Sequence, residues 1–195
     1  MTKAEKTRQF IIEQSAPLFN TKGVAGTAMS DIMEATKMAK GGLYGHFESK
    51  DELSHAVVDY CLTSVGEKLT MAINKQKTAK GKLFAFIDFY SNPLNPPLEG
   101  GCPMVNFGME ADDTSLVIKT KIKDGMEGAE KRLVDIINNG IINGEFKADV
   151  NAEDFSIKIF SMLEGGTMIT RVMNDPGQIK AIVRMLKAEI EEQVL

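Results

Sequence analysis

The sequence predicts an all-α protein of about nine helices, and three observations carry that prediction. Apolar residues recur at helical spacing through nearly every segment. Clusters of Asn, Pro, Gly and Ser stand where one periodic stretch gives way to the next. No stretch of useful length alternates apolar and polar residues as a half-buried strand would. The 195 residues, 43% hydrophobic and 26% charged, suffice to bury a core without disulfides or metals.

Thr2-x-x-Glu5 forms a capping box that opens the first helix. Phe10, Ile11, Leu18 and Phe19 mark its buried stripe, and Gly23 ends it. Pro17 removes the hydrogen bond to the carbonyl of Glu13, which predicts a kink in the last turn. A short helix follows Thr27 with Met29, Ile32 and Met33 turned inward, and a second spans about 39–46. Ser49-x-x-Glu52 is another capping box, opening a long helix with Leu53, Val57, Tyr60, Cys61, Val65 and Leu69 inward. Residues 75–82 read as a polar connector to an apolar helix around 83–87. Four of the six prolines fall between 93 and 103, so residues 91–100 are not helical. Gly101 and Pro103 start a further helix. Residues 114–143 predict a long helix interrupted at Gly125 and Gly128. The last pair, 151–173 and 176–194, is divided by the turn signal Asn174-Asp175-Pro176-Gly177.

Three helices in about 45 residues, the last two short and tightly joined, describe a helix-turn-helix. Leu43 and Phe47, four apart, face inward toward Phe19 and Ile32, leaving Lys40, Tyr44 and His46 to face out. Lys50, in the first turn of the long helix, sets a cation beside exposed backbone N–H groups, as a phosphate clamp would. Tyr44 alone also reads as a core aromatic, and Lys40 and Lys50 as ordinary solvated charges. Residues 1–54 balance seven basic against seven acidic groups, so the net charge of −4 belongs to the remainder. Charge permits contact with phosphate without arguing for it.

Residues 7–53 resemble the DNA-binding domain of the tetracycline-repressor (TetR/AcrR) family. The resemblance lies in Thr7, Ile12, Ala16, Leu18-Phe19, Gly23, Thr27, Ile32 and the tract KGGLYGHFESKDEL from Lys40 to Leu53. It implies a helix-turn-helix domain at 1–48 and a ligand-binding and dimerisation domain at 49–195. It also implies that Thr27, Lys40, Gly42, Tyr44, His46 and Lys50 contact double-stranded operator DNA. The implied function is a ligand-responsive transcriptional regulator, not an enzyme and without a cofactor. In this family that is usually a repressor released from a palindromic operator by a small apolar or electrophilic inducer; activation stays open. Four positions depart from the pattern. Lys37 stands for a turn glycine, Ala39 for a capping serine, and Ala28 and Gly42 for threonines. If the turn needs a positive φ, Lys37 carries about 1 kcal/mol of strain, and Ala39 forgoes about 1 kcal/mol of capping.

Helical pockets are the usual place for an inducer. Candidate lining residues are Phe86, Phe89, Tyr90, Cys102, Met104, Phe107, Met126, Phe160 and Leu163. Methionine adapts to varied apolar ligands, and equally fills gaps in a core. Cys102 follows Gly101 at a helix start, where the dipole favours thiolate. The segment around it resembles a branch of the family in which such a thiol senses electrophiles in some members; an inert thiol is the alternative. The apolar stripes on 151–173 and 176–194 predict an isologous homodimer bundle, Gly165 and Gly166 permitting close approach, unless both stripes serve one monomer core.

Glu52-x-x-His55 matches half of a di-iron helical motif, but the only other histidine, His46, lies in the recognition tract. No phosphate loop, nucleophile elbow or metal-ligand spacing is present in the sequence. No apolar run reaches eighteen residues and the N-terminus has no signal-peptide character, so no membrane span and a cytoplasmic location are expected. Two distant cysteines fit a reducing compartment.

Overall fold

The computed structural model describes residues 1–195 as nine helices. They are α1 (Lys3–Gly26), α2 (Met29–Thr36), α3 (Lys40–Tyr44), α4 (Lys50–Asn74), α5 (Ala79–Phe89), α6 (Pro103–Ala111), α7 (Leu116–Ile142), α8 (Ala152–Met173) and α9 (Gly177–Gln193). The only extended pairing is one isolated bridge between Phe146 and Val194. No helix is long and apolar enough to cross a membrane.

Several boundaries follow from local chemistry. Thr2 Oγ1 accepts from the Glu5 amide, while the Glu5 carboxylate accepts from the Thr2 amide at 2.7 Å. Backbone geometry stays helical past Pro17 and breaks at Gly23, whose φ of 76° needs a residue without a Cβ. The kink expected at Pro17 is therefore corrected: the change of direction belongs to Gly23. Phe10 is likewise corrected; it is 41% exposed, while Ile11, Ile12 and Phe19 form the buried stripe. Helix α5 begins at Ala79, earlier than the sequence suggests. Thr78 Oγ1 accepts from the Gly81 amide, and the Glu145 carboxylate accepts from the Ala79 amide. Helix α7 runs unbroken through Gly125 and Gly128, since a glycine costs about 1 kcal/mol in a helix and does not stop it.

The chain forms two compact units. The first comprises Met1–Val65 and Pro97–Lys123. Ile11, Phe19, Ile32, Leu43, Phe47, Leu53, Val57 and Cys61 fill its core, with Phe107, Ala111, Ile118 and Ile122. All of residues 1–48 fall within it, and α6 packs on α1. Burying each large apolar side chain contributes about 1.5–3 kcal/mol. The second unit comprises Gly66–Pro96 and Asp124–Leu195. Leu83, Phe86, Ile87, Leu133, Ile137, Ile159, Leu163, Ile179, Leu186 and Ile190 fill its core. There α8 packs on α9, and α9 on α5. A Cβ on Gly166 would lie 2.7 Å from Ile182 Cδ1 and 2.9 Å from Ile179 Cδ1, so this glycine sets how closely α8 and α9 meet. Gly165 has no such neighbour.

Candidate nucleic-acid interface

Helices α2 and α3 and the start of α4 build one exposed surface from short-range signals. Ala28, at the N-cap of α2, has no acceptor of its own. Asp31 supplies half of the missing cap, its carboxylate accepting from the Ala28 amide at 3.2 Å and from Lys22 Nζ at 2.9 Å. Both bonds hold the Asp31 carboxyl below its ordinary pKa, the Lys22 bond contributing most. Helix α2 ends at Lys37 in the left-handed region, φ 56°. The turn thus does demand the conformation that favours glycine, at a cost of about 1–2 kcal/mol for a lysine. Ala39 precedes α3 with no side-chain cap.

Helix α3 is a single stretch of five residues, and its sidedness is sharp. Leu43 is 1% exposed and Phe47 4% exposed, anchoring it to the first unit's core. Lys40, Gly42 and Tyr44 face solvent, and His46 and Lys50 are half-buried. Lys40 Nζ lies 5.8 Å from the Tyr44 ring centroid, one helical turn away. A Cβ on Gly42 would come within 3.2 Å of Met38 Cε, whereas one on Gly41 would meet nothing.

Thr27 requires a correction. It is fully buried, and its hydroxyl donates to the Gly23 carbonyl at 2.7 Å. Its side chain fastens the broken end of α1 and is not on the surface with the other five.

Arg8 on α1 is absent from the sequence-derived set. Its guanidinium donates to the His46 carbonyl and, at 2.7 Å, to Glu52, and it lies over the Phe47 ring. The Glu52 carboxylate also accepts from the Glu48 amide at 2.7 Å, which does most to hold its pKa down, followed by the Arg8 bond. Ser49 Oγ accepts from the Glu52 amide, so the expected cap is present with its carboxylate turned one residue further back. Glu52 is thus occupied by Arg8 and Glu48 rather than poised beside His55 as a metal ligand.

The far end of α1 is held by α6 within the same unit. Asn106 Nδ2 donates to the Asn20 carbonyl at 2.8 Å and to the Gly100 carbonyl at 2.9 Å. Asn20 Nδ2 donates to the Glu99 carbonyl at 2.7 Å. One turn beyond Asn106, the Glu110 carboxylate accepts from the amides of Val24 and Ala25 at 2.7 and 2.6 Å. These are the N–H groups exposed by the break at Gly23.

The expected ligand-lining residues divide between the units. Phe86, Tyr90, Phe160 and Leu163 are buried in the second, with Phe89 and Met126 half-buried. Phe86 and Tyr90 stack with centroids 5.5 Å apart, and Phe89 meets Tyr90 edge-on at 5.6 Å. Cys102, Met104 and Phe107 lie in the first unit, Cys102 at the N-cap of α6. A cleft of about 330 Å³ in the first unit is lined by Lys50, His55 and Glu110 among others, and of the expected set it includes Phe107 alone.

Similar proteins agree with this geometry. Residues 11–57 match the family described as "Bacterial regulatory proteins, tetR family". Residues 79–186 match the "Tetracyclin repressor-like, C-terminal domain". The HTH-type transcriptional repressor DhaR of Mycobacterium sp. strain GP1 is 25% identical over 144 residues, 73% of this chain and 71% of that protein. A TetR transcriptional regulator from Chloroflexus aurantiacus is 35% identical, with a TM-score of 0.94 over 100% of this chain and 98% of that one. A TetR-family regulator from Cytophaga hutchinsonii is 34% identical, with a TM-score of 0.92 and the same coverage. A short helix with a buried Leu43–Phe47 edge and an exposed Lys40–Tyr44 edge, in a chain matched along its whole length, is that of a DNA-binding transcriptional regulator and not an enzyme: the protein belongs to the TetR family.

Proposed function

We propose that this regulator binds a near-palindromic operator as a homodimer and releases it when a small apolar or electrophilic molecule occupies its C-terminal domain. The observation that carries the reading is the sidedness of α3: Leu43 and Phe47 face the core, while Lys40 and Tyr44 face solvent. Lys40 and Tyr44 are offered to base edges. Gly42, His46 and Lys50 are offered to phosphates, Lys50 beside the N–H groups that open α4. Thr27 supports the surface from beneath.

Dimerisation through residues 151–194 is supported by apolar groups left exposed on α8 and α9: Ile157 (52%), Met168 (47%), Val172 (82%) and Met185 (49%). A matching face on a second copy would cover them. Two heads about 34–36 Å apart then enter successive major grooves. An inducer that favours a different tilt of α4 spoils that spacing. Coupling of about 1–3 kcal/mol lowers occupancy roughly 5- to 150-fold. The bonds from Asn106 and Glu110 to the end of α1 make α6 part of the body that must move with the head. Repression in the cytoplasm is the reading these features favour.

Footprinting on the protein's own upstream fragment tests the proposal, with sedimentation to count protomers. Two protected half-sites about one helical turn apart, bound by a dimer, are expected. A monomer in solution, or no protection of any palindromic fragment at low salt, would refute it.

A further inference from the structure

We infer that the second unit takes a ligand carrying an ammonium group, received by an arc of acceptors on α8 formed by Glu164, Thr167 and Thr170. This rests on the reading of that unit as the inducer domain and names the chemistry of its ligand.

The arc is out of place in a core. Glu164 is 9% exposed, Thr167 5% and Thr170 0%. The hydroxyls of Thr167 and Thr170 make no hydrogen bond. Other buried hydroxyls of this chain do. Ser15 donates to Ile11, Thr27 to Gly23 and Thr36 to Ile32, each to the carbonyl four residues back. Ser156, earlier on α8, donates to the Glu130 carbonyl. Buried polar groups in native proteins are nearly always paired, so two neighbouring exceptions beside a buried carboxylate mark a missing partner.

At about 100° per residue, positions 163, 164, 167 and 170 fall within an arc of roughly 120° on the helix. Apolar Phe160 and Leu163 share that side. Arg171 Nη1, one turn beyond Thr167, donates to the Pro93 carbonyl at 3.2 Å. That bond brings the chain just past Tyr90 alongside this stretch, so the Phe86–Tyr90 stack is available as an apolar wall. The cation on that turn is thereby committed to a backbone oxygen.

A carboxylate and threonine hydroxyls can all accept hydrogen bonds, and an ammonium offers three donors and no acceptor. It also brings the charge that a buried carboxylate favours, whereas a ligand carboxylate brings like charge. A primary amine on a short apolar body fits this lining, an alcohol fits less well, and a carboxylate is rejected.

Calorimetry on the full-length protein with octylammonium, octanol and octanoate compares three head groups on one tail. Octylammonium should bind at least about tenfold more tightly than octanoate. Glu164→Gln should remove about tenfold of octylammonium affinity and leave octanol within about threefold, and the near-isosteric Thr167→Val should lose about threefold. The ranking in unmodified protein needs no variant, and melting curves establish that the variants fold. No octylammonium binding, octanoate binding as well as octylammonium, or an unchanged Glu164→Gln would each overturn the inference. Selective octylammonium binding without release of operator DNA would leave this site standing and sink the inducer reading. Release by octanol or octanoate with no Glu164 dependence would do the reverse.

Discussion

The guanidinium carbon of Arg8 stands 3.9 Å from the centroid of the Phe47 ring. This contact joins the first turns of α1 to the residue that ends the recognition segment. It is reinforced by bonds from the same guanidinium to the His46 carbonyl and to Glu52. One side chain thus positions the segment carrying Tyr44 and His46 without itself being part of the exposed α3 edge. Arg8→Ala should cost about 1–2 kcal/mol in chemical denaturation, from a cation–π contact and a partly exposed ion pair. Arg8→Lys should recover only part, because a lysine cannot stack and fork at once. Equal stability of all three proteins would show that the contact holds nothing in place.

The head departs from good local chemistry at two points that can be repaired. Lys37→Gly relieves a left-handed lysine and should stabilise by about 0.5–1 kcal/mol. Ala39→Ser restores an N-cap to α3 and should add about 1 kcal/mol. Neither residue belongs to the Leu43–Phe47 anchor, so the gains should add when the variants are combined. Denaturant midpoints check both.

At the other end of α1, Glu110→Ala removes the acceptor for the Val24 and Ala25 amides. A loss of about 1–2 kcal/mol is expected, since Ala25 is exposed and water replaces part of what is lost. Operator affinity should fall by more than this loss of folding explains, because those amides lead directly into α2. Retained affinity in a folded variant would remove α6 from the proposed coupling.

Acid should weaken the head first. Glu52 and Asp31 both have folded pKa values below their ordinary range. Their contribution is therefore complete above the unfolded values of about 4.3 and 3.9, and is lost as pH falls through the lower folded values. Stability should be flat from neutrality to about pH 5 as far as these groups are concerned, then decline. Glu52→Gln should be less stable at neutrality and show a shallower decline; an identical acid limb would contradict the assignment.

The two thiols should differ in reactivity. Burial pushes the Cys61 thiol up to about 12, so it stays protonated and shielded in the folded protein. Cys102 is half-buried at the start of α6. A disulfide exchange reagent should titrate one thiol rapidly at pH 8 and the second only on unfolding. Cys102→Ser should abolish the rapid phase. Two rapid thiols would place Cys61 outside the core.

Much of this was legible because its causes are local. Thr2 and Glu5, Gly23, the prolines from 93 to 103 and the Asn174–Gly177 turn each determine a boundary within a few residues of themselves. The inward pair Leu43 and Phe47 follows from a spacing of four. What the sequence concealed depends on partners distant along the chain. Arg8 meets Glu52 across 44 residues, and Asn20 meets Asn106 across 86. Thr27 matches a family position at the surface of the motif, yet its hydroxyl found a closer acceptor four residues back. Gly125 and Gly128 read as breaks because propensity is local, and α7 overrides them through its packed face, Ile118, Ile122, Ala129 and Leu133. The α8 arc was invisible because Thr167 and Thr170 look like ordinary helix residues until their burial is known.

The salt dependence of operator affinity, measured for the unmodified protein and for Lys40→Ala and Lys50→Ala, tests the central claim most directly. Each phosphate contact contributes about −0.9 to the slope of log K against log salt, so losing one should reduce the slope by about one. We predict that reduction for Lys50→Ala, with weaker binding to every duplex. Lys40→Ala should instead relax discrimination between operator and mismatched sequences. Affinity and slope unchanged in both variants would show that DNA does not meet this protein on the surface formed by α3 and the start of α4.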